Sequence, residues 1–183
     1  GIEERGHILY KQGKIPGSFY TGRGNEGAAV GVATAMGSED VGTPLHRDMG
    51  VHVTRGVEPW RIFAQYMGRE DGPTRGRDGN VHMADSQLGL LAMVSHLPAM
   101  LPVGVGCALA FRIREERRVA VSWFGEGASA RGDTHEIGSE PAPAVKPPPC
   151  SHTSTGRRPA SSAGVQTCSV RQSSSCASPS SPS

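Results

Sequence analysis

The chain has 183 residues, a formal net charge of +2 and 36% hydrophobic residues, a length that allows one domain. No apolar run is long enough to span a membrane, and no basic stripe with interleaved aromatics marks a nucleic-acid footprint. No positively charged, then apolar leader opens the chain. Gly1 stands where a Met would, however, and the sequence opens inside a helical pattern, so it reads as a piece without its own N-terminus. Up to Glu136 there are 15 Lys/Arg against 16 Asp/Glu, and beyond it 4 against 1. Of four cysteines, Cys107 lies in a small apolar run and is expected to be a buried core thiol. Cys150, Cys168 and Cys176 fit no zinc or disulfide spacing, which makes a reduced, cytoplasmic setting the expectation.

The first helical pattern is Glu3 to Tyr10. From Asn25 to Met36, small and apolar residues recur at helical spacing (Ala28, Ala29, Val32, Ala33, Met36), and Gly37 supplies a stop. Pro59 opens an amphipathic helix, Trp60 to Met67, closed by Gly68. Residues 69–90 hold four glycines and several charges and read as a loop. Pro102 to Glu116 reads as a helix whose small first half allows a close approach to a neighbouring backbone. Val119 to Phe124 is short, β-branched and aromatic, the pattern of a buried strand. Helices alternating with a buried strand indicate an α/β domain.

Residues 137–183 are different material. Ser, Pro, Ala and Arg dominate, and Leu, Phe, Trp, Tyr and Met are absent. Such a segment cannot bury enough apolar surface to offset its ordering entropy. Pro147-Pro-Pro149 and Ser173-Ser-Ser175 discourage regular structure. The expected organisation is therefore a folded part, 1–136, and a disordered, low-complexity tail, 137–183.

The chemistry concentrates after the predicted strand. Gly125 and Gly127 flank Glu126, and glycines there let backbone N–H groups approach a ligand with no Cβ in the way. A helix starting just beyond would aim its positive end at an anion. A lone carboxylate at a strand end suits a hard divalent cation that bridges to phosphate oxygens. The bland alternative is a plain strand–turn–helix connection with an exposed first-turn acid. Gly22-Arg-Gly-Asn-Glu-Gly27 satisfies G-x-G-x-x-G, but Pro16 and Gly17 stand where a buried strand should precede it, so it is not read as a nicotinamide site.

Five segments carry a wider likeness: Gly17-Ser-Phe-Tyr-Thr-Gly-Arg-Gly-Asn-Glu26, Thr43-Pro-Leu-His-Arg-Asp-Met-Gly50, Gly76-Arg-Asp-Gly-Asn-Val-His-Met83, Ser95-His-Leu-Pro-Ala-Met-Leu-Pro-Val-Gly104, and Gly125-Glu-Gly-Ala-Ser-Ala-Arg-Gly-Asp-Thr-His-Glu136. In this order, residues 1–136 resemble the alpha subunit of the thiamine-diphosphate-dependent 2-oxo acid dehydrogenases. The resemblance implies a thiamine-diphosphate-binding fold, a parallel sheet flanked by helices, here incomplete. It implies Glu126 as a Mg²⁺ ligand, and Gly127 and Ala128 as backbone donors to the diphosphate. Arg47 matches an arginine that pairs with the diphosphate, a task suited to a planar, permanently charged fork. The alternative for Arg47 is an ion pair with Asp48 or Glu39. His46 stands where the family usually has Tyr. Ser95 and Leu97 match the loop under the middle of the cofactor, where a bulky aliphatic side chain props its two rings into a bent shape. No role is carried over to Tyr20. His96 either faces the substrate or is a structural histidine, and a solvated or packed role is expected for His135.

The family reaction is oxidative decarboxylation of a 2-oxo acid, with acyl transfer to a lipoyl group on a separate acyltransferase core. The resemblance implies a beta subunit as partner in a heterotetramer, which also supplies the glutamate that acts on the aminopyrimidine. It stops at Glu136, before the family's second Mg²⁺ ligand, an Asn. The tail therefore reads as an out-of-frame translation, or else as a genuine disordered segment. A catalytically dead docking module for a beta subunit and an acetoin-cleaving thiamine enzyme are the alternative functions.

Overall fold

The computed structural model describes residues 1–139 and 165–170. The elements in order are α1 (Ile2–Lys11), α2 (Glu26–Ala35), β1 (Val41–Thr43), α3 (Met49–Thr54), α4 (Pro59–Tyr66), a 3-10 turn (Ser86–Leu88), α5 (Met100–Ile113), β2 (Ala120–Gly125), α6 (Glu126–Ser129), α7 (Gly132–Ser139) and β3 (Val165–Val170). The predicted helices α1, α2, α4 and α5 and the strand β2 are formed within a few residues of their expected bounds. α2 ends one residue early because Met36 turns extended. Pro59 occupies the first turn of α4, where its missing N–H costs nothing. Gly68 follows with φ +63, a conformation few other residues adopt.

β1 and β2 run parallel, with Val41 opposite Ala120, Gly42 opposite Val121 and Thr43 opposite Ser122. That pair is the α/β nucleus. A parallel bridge from Gly42 to Leu90 flanks β1 on its other side. Gly42 also leaves room for the Trp123 ring, which a Cβ there would meet at 3.1 Å. The core gathers around this pair: Trp123, Leu90, Ile62, Val51, Val81 and Tyr66 are almost wholly buried. The small residues of α5 have the predicted use. A Cβ on Gly104 would collide with Ser122 Oγ of β2, so the helix lies close on the strand.

Arg55 ties the periphery together. Its guanidinium donates to the carbonyls of Leu88, Gly37, Ser38 and Asp40. Asp40 accepts from the N–H of Gly37 and from that of Val119, which joins the starts of the two parallel strands. Cys107 is half-buried rather than fully buried, packed beside Val41, Phe111 and Ala120. Its helix face turns only partly inward.

The backbone of β3 lies antiparallel to β2, with Val170 opposite Ala120 and Val165 opposite Gly125. At these six residues the expectation of a tail without regular structure is not met. Val165, Thr167 and Val170 are β-formers embedded in the Ser- and Pro-rich sequence. The rest of the expected disordered tail, with Cys150 and Cys176, lies outside the described residues.

Candidate functional site

Two adjacent parallel strands open their C-terminal ends on one edge, and in such sheets that edge is where ligands bind. β1 is followed by Pro44-Leu-His-Arg-Asp48 and β2 by Glu126-Gly-Ala128. The first turn is rigid. Asp48 Oδ2 accepts from the Leu45 N–H at 2.9 Å, and the Leu45 carbonyl accepts from the Asp48 N–H at 3.0 Å. Asp48 is buried and its Oδ1 has no partner, so burial pushes its carboxyl up to about 6. Leu45 anchors the turn in the interior and leaves Arg47 exposed at its tip. The alternative ion pair of Arg47 with Asp48 or Glu39 is not formed among the described residues. Gly22 explains itself here: a Cβ would overlap the Arg47 carbonyl, so this glycine of the G-x-G-x-x-G run seats the arginine turn.

On the second strand the expected helix is shorter than anticipated. α6 is a single turn of four residues beginning at Glu126 itself, and α7 starts only at Gly132. The helix-dipole contribution is correspondingly small, and the useful groups are local. Glu126 and Gly127 are exposed and Ala128 is buried. The N–H groups of Gly127 and Ala128 belong to a first helical turn, whose donors have no intrahelical partner. No group of three or more His, Cys, Asp or Glu side chains comes together among the described residues, so Glu126 stands there as one carboxylate.

The two turns meet at an apolar seam lined by Leu45, Leu97, Pro98, Trp123, Phe124 and Ala128. Leu97 and Ala128 are thus neighbours, next to the residue that precedes His46. His46 sits edge-on to Tyr20, ring centroids 4.5 Å apart. Burial lowers its pKa, and the charges of Arg47 and His82 lower it further. Ser95 is exposed, and its hydroxyl lies 2.9 Å from His82 Nε2. His82 Nδ1 in turn lies 3.2 Å from both carboxylate oxygens of Asp78. His96 and His135 are exposed.

Asp78 and His82 had no assigned role in the sequence, although Gly76-Arg-Asp-Gly-Asn-Val-His-Met83 was singled out. Their pairing depends on the path of a glycine-rich loop, which periodicity does not encode. The loop is held by buried Gln65 of α4, whose side chain accepts from Thr74 and donates to the carbonyl of Asp78.

The profile of the dehydrogenase E1 component family matches residues 1–138. The alpha subunit of acetoin:2,6-dichlorophenolindophenol oxidoreductase from Bacillus subtilis is 31% identical over 136 residues, 74% of this chain and 41% of that protein. The mitochondrial 2-oxoisovalerate dehydrogenase subunit alpha of Caenorhabditis elegans is 36% identical over 133 residues, 70% of this chain and 30% of that protein. The mitochondrial pyruvate dehydrogenase E1 component subunit alpha of Solanum tuberosum is 32% identical over 128 residues, 70% of this chain and 33% of that protein. The chain therefore spans well under half the length of these relatives. Among the described residues no helix is long and apolar enough to cross a membrane.

Proposed function

Since the chain belongs to the dehydrogenase E1 component family, we propose that it is part of the alpha subunit of a thiamine-diphosphate-dependent 2-oxo acid dehydrogenase. The observation that carries this reading is the parallel β1–β2 pair, which opens the Arg47 turn and the Glu126 turn on one edge above a common apolar seam. The donor set fits a diphosphate. Arg47 is exposed, and the N–H groups of Gly127 and Ala128 are donors of a first helical turn. Glu126 suits Mg²⁺, which is usually held by one or two carboxylates plus phosphate oxygens and water. Leu97, with Leu45 and Ala128, offers an apolar wall to the middle of the cofactor, with Ser95 at its margin and His46 beside Arg47. Bound there, thiamine diphosphate supplies a nucleophilic carbon and an electron sink for decarboxylation. The residues of this chain anchor charge and shape the cavity. The whole protein works with a beta subunit and passes an acyl group to a lipoyl-bearing core.

Acetoin is the second substrate reading, supported by the 31% identity to the Bacillus subtilis acetoin protein. Pocket shape, not the anchoring of the diphosphate, separates the two.

The test is a titration of thiamine diphosphate at several Mg²⁺ concentrations, on the chain paired with its beta subunit. Glu126→Gln is expected to weaken metal and cofactor binding together, because the amide loses the charge that a hard cation requires. Glu126→Asp should be milder. A helix-start acid without a metal predicts only a stability change of roughly 0.3–1 kcal/mol. An intact Mg²⁺ dependence in the Gln variant would overturn the metal assignment.

A further inference from the structure

The Asp78–His82–Ser95 chain has a chemistry of its own. Both Asp78 oxygens face His82 Nδ1 at 3.2 Å. A carboxylate only accepts, so in the neutral imidazole Nδ1 carries the proton and Nε2 presents its lone pair. The Ser95 hydroxyl, 2.9 Å away, must then donate to Nε2. A hydroxyl hydrogen-bonded to an imidazole whose far nitrogen is oriented by a carboxylate is the arrangement that turns serine into a nucleophile.

The arrangement is built rather than incidental. Val81 and Met83, on either side of His82, are buried and fix its backbone. The backbone of Asp78 is held by Thr74, which accepts from its N–H and donates to its carbonyl, and by buried Gln65. Asp78 Oδ1 also accepts from the Gly79 N–H at 2.7 Å. Buried Met93 and Pro98 flank the segment that carries Ser95. The serine itself is exposed and open to a substrate.

We propose that in the chain free of thiamine diphosphate Ser95 is a base-activated nucleophile that accepts acyl groups from small activated esters, a reactivity beyond the cofactor role proposed for the same segment. Ser95 Oγ bonds to the ester carbonyl carbon while its proton passes to His82 Nε2. Asp78 stays ionised and stabilises the imidazolium. The bond from carbon to the leaving alkoxide then breaks, and the alkoxide takes the proton from Nε2, leaving acyl-Ser95 and a free alcohol. Water then adds to the acyl carbon while its proton passes to the same nitrogen, the bond from that carbon to Ser95 Oγ breaks, the carboxylic acid leaves, and Nε2 returns the proton to Oγ. General-base assistance of this kind is worth roughly 10²–10⁴-fold.

A fluorophosphonate is the probe. Ser95 Oγ displaces fluoride from phosphorus, His82 takes the proton, and the stable adduct is located by peptide mapping. The full chain, without thiamine diphosphate, is expected to label at Ser95 at least about 100-fold faster when native than when unfolded in urea. His82→Gln, which removes the base, should abolish the native excess, and Asp78→Asn should cut it at least about tenfold, with circular dichroism confirming that each variant folds. No native excess at Ser95 overturns the proposal. So does equal labelling of a folded His82→Gln chain. Because no cofactor enters the experiment, a failure here leaves the diphosphate site untouched, and weak cofactor binding leaves this reactivity untouched.

Discussion

Arg47 shows how a single side chain acquires a role from its neighbours. It sits at the tip of a turn whose floor is Leu45, whose far end is clamped by Asp48, and whose carbonyl closes against Gly22. Its guanidinium forms no ion pair among the described residues, although Glu39 and Asp48 are near in sequence. An exposed arginine on a rigid turn is poised for an anionic ligand at little ordering cost. In the chain paired with its beta subunit, Arg47→Lys should weaken thiamine diphosphate binding by roughly 1.5–3 kcal/mol, the worth of a charge-assisted bond whose fork geometry is lost. Calorimetric titration reads this directly. An unchanged dissociation constant would mean that Arg47 points away from the diphosphate.

At the scale of elements, α3 and the residue at its N-cap hold two buried ionisable groups four residues apart, His52 and Asp48. Burial raises Asp48 from 3.8 to about 6 and lowers His52 from 6.5 to about 4. Stabilisation from protonated Asp48 is complete below its ordinary value of 3.8 and is lost as pH rises to about 6. Stabilisation from neutral His52 is complete above 6.5 and is lost as pH falls to about 4. Across the shared window the two slopes, each about 1.4 kcal/mol per pH unit, oppose one another. Asp48→Asn should therefore make stability fall more steeply towards acid than in the parent chain, and His52→Gln should do the reverse. Urea unfolding from pH 4 to 7 reads both. Parallel curves for parent and variants would mean that water reaches both groups in the folded chain. None of this was legible in the sequence. α3 is six residues long and β1 three, too short for either periodicity to register; β1 forms through its parallel pairing with β2, and α3 packs on α2, where a Cβ on Gly50 would meet Val30 at 3.0 Å. The longer elements α2, α4, α5 and β2 carry their own start or stop signals and apolar patterns, and these were legible.

The whole molecule depends on how closely α5 can approach β2, because the first turn of α5 brings Met100 and Leu101 to the seam that Leu97 and Ala128 share. The sequence announced the small residues but not which of them is used. Gly104 faces Ser122 Oγ with no room for a Cβ, whereas Gly106, one half-turn on, has nothing within 4 Å. The same logic limited the site: Glu126, Gly127, Ala128 and Leu97 stood out as sequence patterns, while Asp78 and His82 required the loop path. Two substitutions on one helix then have different expected outcomes. Gly104→Val forces the helix off the strand and should cost roughly 1–3 kcal/mol, the usual penalty of overpacking. Gly106→Val enters open space and should stay within about 0.5 kcal/mol of the parent. The measurement is urea unfolding in a Trp60→Phe background. Trp60 is exposed and Trp123 is buried at 1% exposure beneath the seam, so the remaining signal comes from Trp123 alone. A lower midpoint at unchanged slope, with Trp123 emission shifted to the red in the native baseline, is expected for Gly104→Val only. If both variants keep the parent midpoint, α5 does not seat on β2 through Gly104, and the seam has another floor.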